Sequence, residues 1–197
     1  MQHKLMVVSG PSGVGKGTIV KTLIKRRKDV VESVSCTTRP PREGETHGKE
    51  YFFLTKAEFL ERLEKQDFLE HDEHFGNYYG TPKSFVEETL KTKSVILEID
   101  VVGGLNVKKR FPDAALVMIV PPSIAELKRR LEGRDTETAE QIENRLSRLE
   151  YELAQKENYD FVVVNDDLER AICEVEAILD GSAHEKAHAA GQPQILP

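Results

Sequence analysis

A glycine-rich segment near the start of the chain has the residue types and spacing of a phosphate-binding loop. Glycines let backbone N–H groups turn inward around phosphate oxygens, and a helix that begins there points its positive end at the same place. The pattern GxxxxGK[ST] is met from Gly10 to Lys16, whereas Gly17 stands where serine or threonine usually follows. We expect Lys16 to reach the outer phosphates of ATP and to act in catalysis. The candidate ATP-binding residues of the loop are Gly10, Pro11, Ser12, Gly13, Val14, Gly15, Lys16, Gly17 and Thr18.

Two acidic residues, Glu98 and Asp100, stand two positions apart at the end of an apolar run. Residues two apart on a strand face the same side, so a strand over 95–100 would present both carboxylates together. The hydroxyl that Gly17 lacks usually touches Mg²⁺, so the metal must be held through water or by carboxylates elsewhere. We expect Asp100 to contribute to magnesium binding through water. The alternative is that the two acids form a purely structural pair.

A second group of candidates lies between residues 35 and 81. Arg39 and Arg42 flank a double proline that stiffens the loop, and tyrosines follow at Tyr51 and Tyr79. Two guanidinium forks and tyrosine hydroxyls suit a phosphate monoester. Taken alone, the same residues also fit a solvated loop with packed aromatic side chains.

Several arginines surround the polar segment 132–138. Phosphoryl transfer spreads negative charge over the equatorial oxygens, and arginines stabilise that charge. The alternative is that these arginines are helix-face charges paired with neighbouring glutamates. The arginines are Arg129, Arg130, Arg134, Arg145 and Arg148.

The elements that would position these residues alternate between strands and helices. This alternation predicts an α/β fold with a parallel sheet, and the region 33–79 interrupts it as an inserted substrate module. Strands are predicted at 4–9, 33–38, 51–54, 95–100, 115–120 and 161–164. Helices are predicted at 18–28, from 55 onward, at 83–90, 123–131, 141–156 and 168–179.

The bulk composition narrows the function classes. The 197 residues suffice for one domain, and the net charge of −6 without a basic tract argues against nucleic-acid binding. No run approaches the roughly 18 apolar residues that a membrane helix needs, so we expect a cytoplasmic protein without a membrane partner. Cys36 and Cys173 lack a CxxC spacing and are read as free thiols. Oligomeric state, including a homo-oligomer, stays open.

Taken in order, these segments resemble the guanylate kinases over roughly residues 4–180. The phosphate loop, the 35–81 segment, Glu98–Asp100, the arginine-rich segment and residues 164–167 follow each other as in that family. The resemblance implies a P-loop NTPase fold with a parallel sheet core, an inserted mixed β/α GMP-binding subdomain and a helical lid. It implies one domain over 1–180, with core segments 1–33, 82–126 and 157–180, insert 34–81 and lid 127–156. The tail 181–197 has no apolar period, and we expect it to be disordered.

The resemblance also implies roles for individual residues. The GMP phosphate would be held by Arg39, Arg42, Tyr51 and Tyr79, and guanine would be read by Ser35, Glu70 and Thr81. Gly80 and Glu98 would complete the GMP site, Asn165 and Asp166 would lie on the adenine side, and the lid arginines would be Arg130, Arg134 and Arg145. This chain departs from the family in having Glu98 where Asp is common and Asp135 where the lid usually has glycine.

The implied reaction is the phosphorylation of GMP, and of dGMP, by ATP with Mg²⁺. Guanine presents two adjacent donors, N1–H and the 2-amino group, and one carboxylate such as that of Glu70 can accept both. Adenine offers an unprotonated N1 there, which a carboxylate repels. Two rival hypotheses are another nucleoside-monophosphate kinase, such as adenylate kinase, whose loop also reads GKGT, and a non-catalytic guanylate-kinase-like binding module.

Overall fold

The computed structural model describes residues 3–74, 76–132 and 139–183, apart from the side chains of 74, 131–132 and 139–146. Its strands are β1 Leu5–Ser9, β2 Val30–Glu32, β3 Cys36–Thr37, β4 Phe52–Phe53, β5 Phe68–His74, β6 Asn77–Pro82, β7 Ser94–Glu98, β8 Ala115–Val120 and β9 Phe161–Val164. Its helices are α1 Lys16–Arg26, α2 Lys56–Glu64, α3 Lys83–Thr89, α4 Val101–Arg110, α5 Ile124–Glu132, α6 Ala139–Ala154 and α7 Leu168–Asp180, with a 3₁₀ turn at Gln155–Asn158.

Five parallel strands form the main sheet, in the order β2-β7-β1-β8-β9. The central strand β1 is buried along its whole length because helices cover both faces of the sheet. Met6 and Val8 pack with α1 and α7, whereas Val7 packs in the cluster that includes α4. Because all strands run in one direction, the segments that follow β1 and β7 meet at the same edge. This brings the phosphate loop next to Glu98. The expected α/β class is confirmed.

A smaller mixed sheet is built from residues 36–82, in the order β4-β3-β6-β5. β3 pairs parallel with β4 and antiparallel with β6, and β5 and β6 form a hairpin. Its core is small: Cys36, Phe59 and Phe68 are buried together, and the two phenyl rings stack with centroids 4.4 Å apart. The second sheet therefore has a small core of its own, while Leu69 of β5 packs in the main-sheet cluster that includes α4.

Most predicted elements are present. Thr55 and Glu58 form a reciprocal capping box at the start of α2, and Ser123 Oγ accepts a hydrogen bond from Glu126 N at the start of α5. Strand β7 ends at Glu98, so the predicted strand over 95–100 was too long. Asp100 instead caps α4, with its Oδ1 2.7 Å from Gly103 N.

The sequence analysis missed β2, the β5–β6 hairpin and the helix α4. Helix α4 begins Val-Val-Gly-Gly, a poor helix sequence by propensity, and the Asp100 cap compensates. Gly104 has a packing role, because a Cβ there would lie 2.4 Å from Tyr159 Oη. Tertiary packing against the sheet therefore overrides local preference in this helix.

The last helix ends in a well-defined cap. Gly181 adopts a left-handed φ of 73°, and Ser182 and Ala183 donate backbone hydrogen bonds to Ala177 O. The rest of the tail that was expected to be disordered lies outside the described residues. In the described part of the chain, no helix is long and apolar enough to cross a membrane.

Candidate active site

The phosphate loop joins β1 to α1 and is shaped by glycine conformations. Gly10, Gly13 and Gly15 have φ of 139°, 84° and 100°, all in the region that favours glycine. A Cβ on Gly10 would also lie only 2.1 Å from Ile119 O of the neighbouring strand. Lys16 Nζ donates to Gly10 O at 2.7 Å, so the lysine folds back over its own loop. The Lys16 ammonium group therefore lies against the glycine loop.

Two acids lie directly beside the loop. A Cβ on Gly17 would lie 3.2 Å from Glu98 Oε2, so the carboxylate takes the space next to the position where a loop hydroxyl is usual. Asp100 lines the same cleft, although one of its oxygens is engaged by the α4 backbone. The two carboxylates are therefore adjacent at this edge without sharing one strand.

The predicted adenine-side residues have different surroundings. Asn165 is buried, and its Nδ2 donates to Val14 O at 2.7 Å, which supports the phosphate loop from below. Its own carbonyl accepts a hydrogen bond from Arg130 Nη2 at 3.1 Å. Asp166 is exposed and pairs with Arg170. Asn165 thus links the loop to α5, which carries Arg130, one of the predicted lid arginines.

Glu70 lies on β5 and is the most buried acid of the cleft, with 5% exposure. Thr81 Oγ1, on the paired strand β6, donates to Glu70 Oε1 at 2.7 Å. Burial raises the pKa of the Glu70 carboxyl to about 7, and the nearby charges of Asp100 and Asp72 add to the rise. Gly103 allows a close approach, because a Cβ there would lie 2.9 Å from Glu70 Oε2.

One cleft contains both the phosphate loop and this buried carboxylate. Its volume is about 270 Å³, and it lies between the carboxyl edge of the main sheet and the small sheet. Residues from both sheets therefore face one shared space. Its lining residues are Gly10, Ser12, Lys16, Ser35, Tyr51, Glu70, Asp72, Tyr79, Gly80, Glu98, Ile99, Asp100 and Glu152.

The predicted phosphate grip is partly assembled. The rings of Tyr51 and Tyr79 meet edge to face at 6.1 Å, and the Arg39 guanidinium lies 5.5 Å from the Tyr51 ring centroid. Arg39 Nη2 also donates to Glu45 Oε1 at 2.9 Å. Burial raises the pKa of Tyr51 to about 12, so its hydroxyl keeps its proton and can donate. Arg42 is exposed, and its backbone N–H bonds Glu45.

The other candidates can be placed only as far as the described residues reach. Arg130 pairs with Glu126 at 2.8 Å and contacts Asn165. Arg134 lies outside the described residues, and Arg145 belongs to α6 with its side chain outside them. Thr81 does not line the cleft but holds Glu70, which does.

Sequence analysis missed three cleft residues: Asp72, Ile99 and Glu152. Asp72 was accessible by period-2 reasoning, since it follows Glu70 by two on β5, but that strand was not recognised. Glu152 is one of several charges on α6, and nothing in the sequence distinguishes it. Its carboxyl pKa is raised by burial, against the opposing influence of the Lys16 charge.

A parallel sheet with a phosphate loop, and a second sheet that faces it with a buried acceptor, define a P-loop phosphotransferase with a pocket for a second substrate. The comparisons with known proteins identify the family. The family model described as guanylate kinase matches residues 2–182. The chain belongs to the guanylate kinase family and is an enzyme of that class.

Individual relatives agree with this assignment. Guanylate kinase from Clostridium perfringens (strain SM101 / Type A) is 51% identical over 176 residues, which cover 89% of this chain and 82% of that protein. Guanylate kinase from Caldanaerobacter subterraneus subsp. tengcongensis is 46% identical over 179 residues, 90% and 87% of the two chains. The crystal structure of guanylate kinase from Anaplasma phagocytophilum has a TM-score of 0.77 and 32% identity, and the match covers 93% of this chain and 88% of that one.

Proposed function

We propose that the protein transfers the γ-phosphoryl group of ATP to GMP inside the shared cleft, with each sheet holding one substrate. One observation carries this division: Lys16 of the phosphate loop and Glu70 of the inserted sheet line the same cleft. ATP would lie with its phosphates on the glycine loop, and GMP would lie across the small sheet. The two reacting groups would then meet in line between the sheets.

Guanine recognition would depend on Glu70. Its carboxylate accepts hydrogen bonds from both guanine donors, while Thr81 keeps Oε1 oriented from the opposite side. Because Glu70 is buried, the bond would be strengthened and the wrong base would leave a buried acceptor unpaired. Ser35 and Asp72 line the pocket and would complete the contacts with the base.

The GMP phosphate would lie next to Tyr51 and Tyr79. Arg39 lies near the Tyr51 ring, but its guanidinium bonds Glu45 and Pro40 O, and we expect it to exchange these contacts for the phosphate when GMP binds. Arg42 belongs to the same loop and would add a second fork from its exposed position. Together these arginines and tyrosines would fix the position of the attacking oxygen of the GMP phosphate. They would not remove a proton from it, so no general base is assigned.

Charge that develops during transfer would be stabilised by Lys16 together with Arg130, Arg134 and Arg145. Lys16 bonds the carbonyls of Gly10 and Pro11, and these contacts must be exchanged for phosphate oxygens when ATP binds. Arg130 reaches the loop through Asn165. Closure of the lid over both nucleotides would exclude water and protect ATP from hydrolysis.

We propose that Mg²⁺ accompanies ATP in this site. The donor set fits, because carboxylate oxygens are ligands that Mg²⁺ prefers, and Glu98 takes the space beside Gly17 where the loop hydroxyl is absent. Asp100 would act through water. The phosphates of ATP and water would supply the remaining ligands. Bound there, the ion would neutralise charge on the β- and γ-phosphates.

Neither rival function is favoured by a specific observation. An adenylate kinase shares the loop sequence, but the buried carboxylate of Glu70 would face the unprotonated N1 of adenine. A binding module without catalysis would not need the loop lysine, which is present and lines the cleft.

A coupled ADP-release assay with ATP and each of GMP, dGMP, AMP, CMP and UMP tests the proposal. We expect GMP and dGMP to be turned over far better than the others. Comparable rates with AMP would refute guanine selection by Glu70. Absence of turnover with every nucleotide, in a protein that binds both ATP and GMP, would instead support the binding module.

A further inference from the structure

Arg110, at the end of α4, connects the core of the molecule to the strand that carries Glu70. Its side chain lies at the surface, but Nη1 donates to Leu69 O at 2.6 Å and to Phe68 O at 3.2 Å. These are the two residues that precede Glu70 on β5. The contact therefore joins a helix of the main sheet to the backbone of the base-reading strand.

The two carbonyls accepting these bonds belong to an irregular part of the hairpin. The pairing of β5 with β6 shifts register between Phe68 and Glu70, so Leu69 is an extra residue. In a regular strand, successive carbonyls point to opposite edges, whereas here one guanidinium nitrogen reaches both. β5 is also the edge strand of the small sheet, and no strand among the described residues pairs with its outer side. The Arg110 guanidinium supplies the hydrogen-bond donor that a neighbouring strand would otherwise provide for both carbonyls.

The same helix approaches Glu70 at its other end. Gly103 lies close to the Glu70 carboxylate: a Cβ added to this glycine would be only 2.9 Å from Glu70 Oε2. Arg110 follows about two turns later along α4 and bonds the backbone just before Glu70. α4 thus fixes the strand while leaving room for the side chain, and Thr81 completes the alignment from β6.

We propose that Arg110 is a positioning residue for base selection. It holds the β5 bulge against the core so that the Glu70 carboxylate is presented to guanine at a fixed height. Water can solvate the two carbonyls when the guanidinium is removed, but water cannot tie the strand to α4. The proposal rests on the proposed role of Glu70 as the guanine reader. It adds a residue that contacts no substrate and has no signal in the sequence.

The test compares Arg110→Met with Lys109→Met, which removes the same charge from the same helix end at an exposed position. For Arg110→Met we expect KM for GMP to rise about fivefold and the GMP/AMP ratio of kcat/KM to fall, a smaller effect than the direct loss of a Glu70 hydrogen bond because Arg110 acts on guanine only through the strand. KM for ATP and kcat at saturating GMP should stay within about twofold of the wild type. Arg110→Lys, which keeps a donor, should recover part of the GMP affinity.

A double-mutant cycle with Glu70→Gln separates the inference from the proposed function. If Arg110 acts through Glu70, Arg110→Met should change KM for GMP much less in the Glu70→Gln background. Equal effects in both backgrounds, equal changes in KM for ATP, or the same result with Lys109→Met would overturn the positioning role. If Glu70→Gln alone leaves GMP selection intact, the base-reader assignment fails instead. Should Arg110→Met not fold, Arg110→Lys is used in the same cycle.

Discussion

In the proposed function, the two halves of the cleft would recognise their ligands through different parts of the chain. The phosphate loop depends on its backbone: three glycines have positive φ, and close packing against Ile119 and Asn165 excludes a Cβ at two of them. The base pocket works with side chains, chiefly a buried carboxylate and the threonine that orients it. Altering the first half should therefore change the rate of transfer, and altering the second should change which nucleotide is chosen.

The two halves also differ in how firmly they are supported. The phosphate loop is attached to a five-stranded parallel sheet with two large apolar clusters. The small sheet contains two-residue strands and a cluster of three buried residues with a few partly buried neighbours. A pocket in such a sheet depends more on individual polar contacts. The hydrogen bonds from Arg110 to the β5 backbone are contacts of this kind.

The largest expected effect is at the phosphate loop. Lys16→Met removes the charge that follows the transferring phosphoryl group, and kcat should fall about a thousandfold or more. GMP affinity should stay near the wild-type value, because the base pocket is untouched. Lys25→Met, on the exposed side of the same helix, is the matched control and should retain full activity. Near-normal turnover in folded Lys16→Met would remove this loop from the mechanism.

At the base pocket we expect a smaller loss of rate and a larger change of choice. Glu70→Gln replaces one acceptor oxygen by a donor that opposes guanine. The loss of a charge-assisted hydrogen bond, about 2–3 kcal/mol, should lower kcat/KM for GMP by about 30- to 150-fold. The amide can donate to adenine N1, so the GMP/AMP ratio of kcat/KM should narrow. An unchanged ratio would show that Glu70 does not read the base.

How much of this was predictable differs between the halves. The strands of the main sheet are continuous apolar runs, and the loop between β1 and α1 is a strong motif, so both followed from the sequence. The hairpin β5–β6 mixes aromatic and charged residues without a clean period, and it was missed as structure. Its key residue, Glu70, was assigned only through the family resemblance.

Other features depend on tertiary contacts that no local pattern reports. Helix α4 begins with β-branched residues and glycines, and only the Asp100 cap and the close approach of Gly104 to Tyr159 explain why it is a helix. Glu152 lines the cleft although nothing local distinguishes it from the other charges of α6. Arg110 contacts β5 across more than 40 positions of sequence. Each of these requires the assembled fold.

Gly17 and Glu98 lie close together where the phosphate loop meets the proposed GMP site. Changing each residue alone and then both together tests whether they share one role. Gly17→Ser adds a Cβ at 3.2 Å from Glu98 Oε2, which should displace the carboxylate and raise the Mg²⁺ concentration at half-maximal rate. Glu98→Asp shortens the acid and leaves a gap. If the two positions share one role in metal binding, each single change should cost about tenfold and the double variant should recover most of it.

Binding of Mn²⁺·ATP, followed by electron paramagnetic resonance, gives a second readout that does not depend on turnover. The double variant should bind the metal more tightly than either single variant. Strictly additive effects on both measurements would show that Gly17 and Glu98 act independently. The wild-type chain treated in parallel provides the reference for each series.

The smallest expected effect concerns pH, and it distinguishes the base pocket from the phosphate loop. The pKa of Glu70 is raised from 4.5 to about 7 by burial, with Asp100 and Asp72 contributing. Guanine requires the carboxylate, so GMP affinity should fall roughly threefold between pH 7.5 and 6.5 as Glu70 takes up a proton. The phosphate of GMP also titrates near pH 6. In Glu70→Gln the GMP phosphate still titrates, whereas residue 70 no longer does. The difference between the two binding profiles therefore isolates the titration of Glu70.

The same shift has an opposite consequence for stability. A raised folded-state pKa means that the contribution of Glu70 to stability is fully present below about pH 4.5 and is lost as pH rises through about 7. Free wild-type protein should therefore become less stable relative to Glu70→Gln over this window, whereas its GMP affinity improves. Calorimetric titration of GMP and chemical denaturation, both from pH 5.5 to 8.5, measure the two trends. If the binding profiles of the wild type and Glu70→Gln are parallel, the carboxylate is not the group that guanine requires.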